Sequence, residues 1–145
     1  MKKREAKPYE RFTAWQACHE LALAVYRSSE LWPVQERFGL SAQARRAAFS
    51  AATNLVEGSA RRGSAEFRRF LDISLGSLSE LAYILLLLRD LEVLTQSEWG
   101  TLEAMRDHAG KLTWGLYHAV ARRASGLRDT AKRGKSLGRK EIDRA

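Results

Sequence analysis

The sequence predicts an all-α fold, an antiparallel up-down-up-down four-helix bundle, and three observations carry that prediction. Ala and Leu number 21 and 20, against 14 for Val, Ile and Thr together. Straight or minimal side chains lose little on entering a helix, whereas β-branched ones lose χ1 freedom there. Both prolines lie early, at Pro8 and Pro33, so no breaker of that kind interrupts the remainder. Apolar residues recur in alternating steps of three and four through four segments with short connections, as amphipathic helices of a bundle require.

The first helix is predicted to start at Thr13, because Thr13 and Gln16 have the T-x-x-Q spacing of a capping box. Trp15, Cys18, Ala22, Val25 and Trp32 follow on one face, with Ser29 in the remaining slot, and Pro33 marks the break. The second helix is predicted over residues 40–57, with Gly58 as its C′ residue. Its stripe is Leu40, Ala44, Ala47, Ala51 and Leu55, with Ala48 and Ala52 beside it; these side chains are small enough for a neighbouring helix to approach closely. SARRGS (59–64) reads as a loop, with Ser64 as the N-cap of the third helix.

The third helix has the strongest pattern. Phe67, Leu71, Ser74, Leu78, Leu81, Leu85 and Leu88 form its stripe, and Phe70, Leu75, Ala82, Ile84, Leu86 and Leu87 widen it until it nearly circles the helix after residue 80. A helix apolar all round must be buried all round, and one small bundle covers only one side, so self-association is implied. Thr95 and Glu98 form a second capping box and open the fourth helix. Leu102, Met105, Ala109, Leu112, Leu116 and Ala119 continue it, and it is expected to fade near Ala124.

These readings divide the chain into a flexible N-terminal segment (1–11), a four-helix bundle (12–125) and a basic, disordered tail (126–145) in which Gly126, Gly134 and Gly138 interrupt a stretch with little apolar periodicity. No internal repeat is detectable. The single cysteine, Cys18, excludes an internal disulfide and fits a reducing compartment. The opening MKKREAKPYERF is charged and lacks the apolar stretch of a signal peptide. The longest unbroken apolar run, residues 81–88, is eight residues, against the ~20 of a membrane span. A cytoplasmic protein that does not engage membrane is expected.

The formal net charge is +8, and it is uneven. Residues 126–145 hold seven Lys/Arg and three Asp/Glu, hence +4, while residues 1–125 hold 18 and 14, again +4. Such a bias suits a polyanionic partner, nucleic acid before anionic membrane, although a basic surface also serves solubility alone.

Signs of catalysis are nearly missing from the sequence. His19, His108 and His118 are the only histidines. His108 and His118 are ten residues apart, about 80° off a shared helical face. Cys18 lies in the core stripe, where free cysteine usually packs. There is no Walker loop, no G-x-G-x-x-G and no nucleophile elbow. A non-enzymatic protein without metal or cofactor is expected.

On the second helix Gln43, Arg46, Ser50, Asn54 and Glu57 form a polar stripe in steps of three and four. It is either a solvated face or a seam buried against the third helix, where Ser77 and Glu80 are candidate partners; a buried seam fixes register rather than adding stability. The arginines fall in pairs: Arg45–Arg46, Arg61–Arg62, Arg68–Arg69 and Arg122–Arg123. Arg61 and Arg62 precede a helix start, whose free N–H groups suit phosphate oxygens. Arg45, Arg61, Arg62, Arg68 and Arg69 are therefore candidate phosphate contacts, joined from the tail by Lys132 and Arg133, with Lys135, Arg139 and Lys140 beyond them. The aromatics among these arginines, Phe67 and Phe70, read as core, so phosphate contacts are expected here without a base-stacking platform.

The run Phe38-Gly39-Leu40-Ser41-Ala42-Gln43-Ala44-Arg45-Arg46-Ala47-Ala48-Phe49-Ser50, with Asn54-Leu55-Val56-Glu57-Gly58 after it, resembles the signature of the four-helix-bundle family that includes the intervening-sequence proteins encoded within bacterial large-subunit ribosomal RNA genes. It is also similar to the accessory variability proteins of diversity-generating retroelements. Trp15-Gln16-Ala17 with Tyr26, Glu66-Phe67 with Phe70-Leu71, and Leu75-Gly76-Ser77-Leu78 with Glu80-Leu81 support the resemblance, which spans roughly residues 12–120. It implies a homopentameric barrel of four-helix protomers that binds nucleic acid or ribonucleoprotein rather than catalysing a reaction. Ala51-Ala52-Thr53 departs from the Ile-Pro-small pattern frequent in the family, so a straighter second helix is expected, and the basic tail lies outside the family core. Two functional expectations follow: a nucleic-acid-binding oligomer, structured RNA favoured, or a scaffold that recruits another polypeptide such as a polymerase.

Overall fold

The computed structural model describes residues 2–36 and 38–142, with side chains throughout except at 127–129 and 134–142. The fold is all-α. Its four α-helices are α1 (Thr13–Ser29), α2 (Leu40–Ser59), α3 (Ser64–Asp90) and α4 (Gln96–Ile142), with short 3-10 turns at Pro8–Arg11 and Val34–Glu36 and no strand among the described residues. α1 packs against α2 and α4, and α3 packs against the same two from the other side. The shared core holds Leu21, Val25, Leu55, Leu71, Leu78, Leu81, Leu85 and Leu88, all fully enclosed. Each such leucine contributes about 1.5–3 kcal/mol through burial.

The alanine stripe of α2 does what its small side chains permit. Ala44, Ala47, Ala48 and Ala51 are enclosed, and α3 comes close enough for Ser74 Oγ to donate to Ala51 O at 2.7 Å. α2 runs unbroken through Ala51-Ala52-Thr53. α3 is long and apolar enough to cross a membrane by length and composition alone. Here it is the core helix, with Leu71, Leu78, Leu81, Leu85 and Leu88 turned inward.

Between α3 and α4 the chain turns on Glu92, whose φ is 61°. Val93 N–H donates to Leu88 O at 2.9 Å and Leu94 anchors the turn in the core. The second predicted capping box forms: Thr95 N–H donates to Glu98 Oε1 (3.3 Å), and Glu98 N–H to Thr95 Oγ1 (3.1 Å).

Several expectations are corrected. Thr13 is already helical and Phe12 holds the N-cap position. Gln16 therefore does not close a box with Thr13; its Nε2 donates to Glu10 O at 2.9 Å. The inward face of α1 is Ala14, Ala17, Cys18, Leu21, Val25 and Ser29, while Trp15 and Ala22 sit half-buried at its edge. Gly63, with φ of 90°, precedes α3 in place of Ser64. Glycine has no Cβ to clash there.

Gly58 is not a C′ residue: α2 continues through it to Ser59. The residues 1–11 are not wholly free of structure either. Pro8 presets a 3-10 turn, Glu10 accepts from Lys7 N–H (2.9 Å) and pairs with Arg4 (2.7 Å), and Tyr9 sets its ring edge against Trp15.

The largest difference is at the C-terminal end, where α4 does not fade near Ala124 but continues to Ile142. At 1.5 Å per residue α4 is roughly 70 Å long. Ala131, Lys132 and Arg133 are strong helix formers, and each glycine in the stretch costs about 1 kcal/mol rather than ending the helix. Ser125, Gly126 and Thr130 to Arg133 are exposed, so this segment extends beyond the core.

Candidate nucleic-acid interface

The polar stripe of α2 is buried only at its centre. Asn54 is 9 % exposed and Ser77 8 %. Asn54 Nδ2 donates to Ser50 O (2.7 Å) and Ser50 Oγ (3.1 Å). The Ser50 and Ser77 hydroxyls are hydrogen-bonded at 2.8 Å, and Ser77 Oγ also lies 2.9 Å from Ile73 O. A continuous chain of donors and acceptors thus ties α2 to α3. Gln43, Arg46, Glu57 and Glu80 are outside the buried part; Arg46 reaches Gln43 at 3.5 Å. The stripe is a short buried seam with a solvated end on either side.

Replacing Asn54 by Ala is expected to lower stability by about 1–3 kcal/mol, because Ser50 O and Oγ lose the Asn54 amide as a donor in the seam. Chemical denaturation of the two proteins measures the difference, and identical midpoints would mean the seam is hydrated.

The predicted phosphate-binding arginines do not share one environment. Arg45 is committed to structure. Its Nε donates to Ser29 Oγ at 2.7 Å, its Nη2 reaches Tyr26 O at 3.4 Å, and its guanidinium lies over the Tyr26 ring. It closes the C-terminal end of α1 against α2, with two of its three guanidinium nitrogens engaged there. Arg68 is half-buried, with Nε enclosed and unpartnered. Arg62 and Arg69 are exposed; Arg69 approaches Glu66 at 3.9 Å and lies over Phe70. Lys132 and Arg133 are exposed on the extended part of α4, while the side chains of Lys135, Arg139 and Lys140 lie outside the described residues.

Arg61 belongs to a site that the doublets did not reveal. A cleft of about 590 Å³ opens at the end of the molecule where α2 turns into α3. Its lining includes Arg11, Arg61 and Arg123, the hydroxyl-bearing Ser59 and Ser64, the backbone at Gly63, and apolar walls from Phe12, Phe67, Leu116, Ala119 and Val120. No carboxylate lines it. The three guanidinium groups come from three elements: the Pro8–Arg11 turn, the α2–α3 connection and α4. Aromatic faces hold two of them in place, Phe12 under Arg11 (5.2 Å) and Phe70 under Arg61 (5.1 Å). The Phe12 and Phe67 rings meet at 5.9 Å and join the N-terminal turn to α3.

Three arginines lining one cleft without a carboxylate among them make its potential positive, which favours an anion there. Guanidinium groups stay charged across the accessible pH range and bind phosphate in a fork. Sequence reasoning missed Arg11 and did not place Arg123 here. Adjacent arginines point apart on a helix, and only the packing of the N-terminal turn and α4 beside the α2–α3 connection brings the single members together.

The remaining chemistry is sparse. Among the described residues no three of His, Cys, Asp and Glu gather as a metal ion would need. Cys18 is fully enclosed, 3.7 Å from Thr113 Oγ1, and burial pushes its thiol up to about 11. It is a packing residue, neutral at pH 7.

Comparison with known proteins agrees with the arrangement of helices. No curated protein matches the sequence. A crystal structure from Bacteroides thetaiotaomicron, described as a protein with unknown function from the S23 ribosomal protein family, is similar in fold: TM-score 0.68, with 24% identity, covering 72% of this chain and 98% of that one. The family model described as 23S rRNA-intervening sequence protein matches residues 10–115, which include the α2 signature, the seam and the α2–α3 connection. The chain belongs to the 23S rRNA-intervening sequence protein family.

Proposed function

We propose that this chain is a non-enzymatic, cytoplasmic RNA-binding protein, an antiparallel up-down-up-down bundle that assembles into a homopentameric ring and holds structured RNA by its phosphates. The observation that carries this reading is the acid-free cleft of Arg11, Arg61 and Arg123. Membership of a family whose name refers to ribosomal RNA genes supports it, as does the net charge of +8. Ring symmetry would repeat the cleft around the assembly, so individually weak contacts would add through avidity. Because the cleft contacts backbone oxygens and not base edges, sequence preference is expected to be weak.

The test is a salt titration of RNA binding by filter retention. Each phosphate neutralised by the protein releases counterions, so affinity falls steeply as salt rises. The Arg61→Ala, Arg62→Ala double variant and an Arg123→Ala variant are expected to bind more weakly. Each is expected to flatten the plot of log K against log salt by about one unit for every phosphate no longer neutralised. Deleting residues 126–145 is expected to weaken binding while leaving the oligomer intact. Equal binding by wild type and all three variants, or no binding at low salt, would count against the proposal.

A second reading, a scaffold that recruits another polypeptide such as a polymerase, is favoured by a groove of about 310 Å³ between α1 and α2. Trp15, Ala22, Tyr26, Phe49 and Val56 line it, and Phe49 is 58% exposed.

A further inference from the structure

The outward side of α4 carries an aromatic cluster that phosphate binding in the arginine cleft leaves unused. Trp114 is 55% exposed. Its ring is held from two sides: His118 sets its edge against it at 4.4 Å and 81°, and Tyr117 lies nearly parallel at 5.9 Å and 12°. A ring already fixed at the surface loses little freedom when a planar ligand settles on it. Beside it runs a cleft of about 330 Å³ between α3 and α4, lined by Leu75, Leu78, Ser79 and Gly110 among others. The backbone next to the ring is bare, since a Cβ on Gly115 would meet nothing within 4 Å.

On the N-terminal side of the ring the charges are paired. Lys111 is tied to Asp107 at 2.8 Å and Arg106 to Glu103 at 2.8 Å, so the cleft itself is close to neutral. On the C-terminal side basic residues prevail. Stepping along the helix by four from Trp114 reaches His118 and then Arg122, which is exposed. Lys132 and Arg133 return to the same flank further on, by the 3.6-residue period. Residues 114–133 hold five Lys/Arg and one carboxylate, Asp129, a net charge of +4.

We propose that this face of α4 is a stacking track for single-stranded nucleic acid, with Trp114 taking a nucleobase on its exposed face while Arg122, Lys132 and Arg133 take phosphates. Every base presents a π-face, so the contact is tolerant of sequence, and interleaved cations and aromatics are what such binding uses. The inference rests on the nucleic-acid reading above and adds to it a single-stranded segment and a second contact mode. A predominantly basic row favours a polyanion over a protein occupant, which stands as one outcome of the test.

The experiment compares wild type, Trp114→Ala, Trp114→Phe and the Arg61→Ala, Arg62→Ala variant. Each is titrated with oligouridine and with an abasic sugar–phosphate strand of equal length, and each is also sedimented. Trp114→Ala is expected to lose roughly 5- to 150-fold in affinity for oligouridine, the range for one stacked base, and nothing for the abasic strand. Trp114→Phe is expected to keep most of the binding, and the arginine variant to weaken on both strands. If Trp114→Ala binds oligouridine like wild type while the arginine variant weakens on both, stacking is refuted and phosphate binding survives. If wild type binds neither strand, both readings fall. If Trp114→Ala changes the sedimenting species, the ring belongs to a protein contact and the proposal is overturned.

Discussion

Replacing Gly58 by Val is expected to destabilise the protein by about 2–3 kcal/mol, a fall in melting temperature of roughly 10 °C for a chain of this size. A Cβ built on Gly58 would stand 2.8 Å from Phe67 Cδ2 and 2.8 Å from Phe70 Cβ. The second of these sits next to backbone and cannot swing aside, so α3 must move away from α2. Gly58→Ala is the graded control. It meets the same two atoms but regains about 1 kcal/mol of helix propensity, so its loss is expected to be smaller. Calorimetry on the three proteins gives the ranking, and a valine variant melting with wild type would show that the helices do not meet closely here. The effect should reach the arginine cleft too. Phe67 lines it and Phe70 lies under Arg61, so the valine variant is also expected to hold RNA less tightly than its remaining folded fraction explains.

Gly58 also shows how far the sequence could be read. Its position after an apolar run marked it as the end of a helix, whereas it lies inside one, buried where two phenylalanines cross. Both situations call for a residue without a side chain, and sequence alone does not tell them apart. Local signals transferred where no neighbouring element competed for the same groups. Thr95 and Glu98 close their capping box because both groups belong to the same first turn. Thr13 and Gln16 share the spacing but do not, because the preceding 3-10 turn draws Gln16 back to Glu10 O.

The stripe of α3 was legible from Leu71 to Leu88 because its period is unbroken over several turns. The site was less legible for the same reason that a fold is not a list of neighbours. Arg45 looked like its fellows and is engaged at the end of α1, while Arg11, in what read as a flexible leader, lines the same cleft as Arg61, on a turn that Phe12 joins to Phe67. The extent of α4 was misjudged because glycines were read as terminators, when in a run of strong helix formers they only lower stability.

Replacing Tyr83 by Glu is expected to disperse the proposed ring into protomers. Tyr83 is 65% exposed and Ile73 45%, on the outward side of a helix that is otherwise the most apolar in the chain. Half-buried Leu86 and Leu87 follow Tyr83 by three and four positions, one helical turn on. A second apolar surface, Tyr26 and Phe49 over the α1–α2 groove, is exposed elsewhere on the protomer. α1 makes its contacts with α2 and α4, as α3 does, so α1 and α3 occupy opposite corners. A cyclic ring uses a heterologous contact, one patch of each subunit against a different patch of the next, and two separated apolar surfaces suit that geometry while leaving the outward face of α4 open. A carboxylate at position 83 would have to be desolvated in every copy of the contact at once, so the loss should be cooperative.

Sedimentation at micromolar concentration should show wild type as a single large species, five copies favoured, and Tyr83→Glu as a folded monomer with an unchanged helical circular-dichroism spectrum. A wild-type monomer under these conditions would leave both apolar surfaces without a partner of their own kind, and the α1–α2 groove would then belong to the scaffold reading.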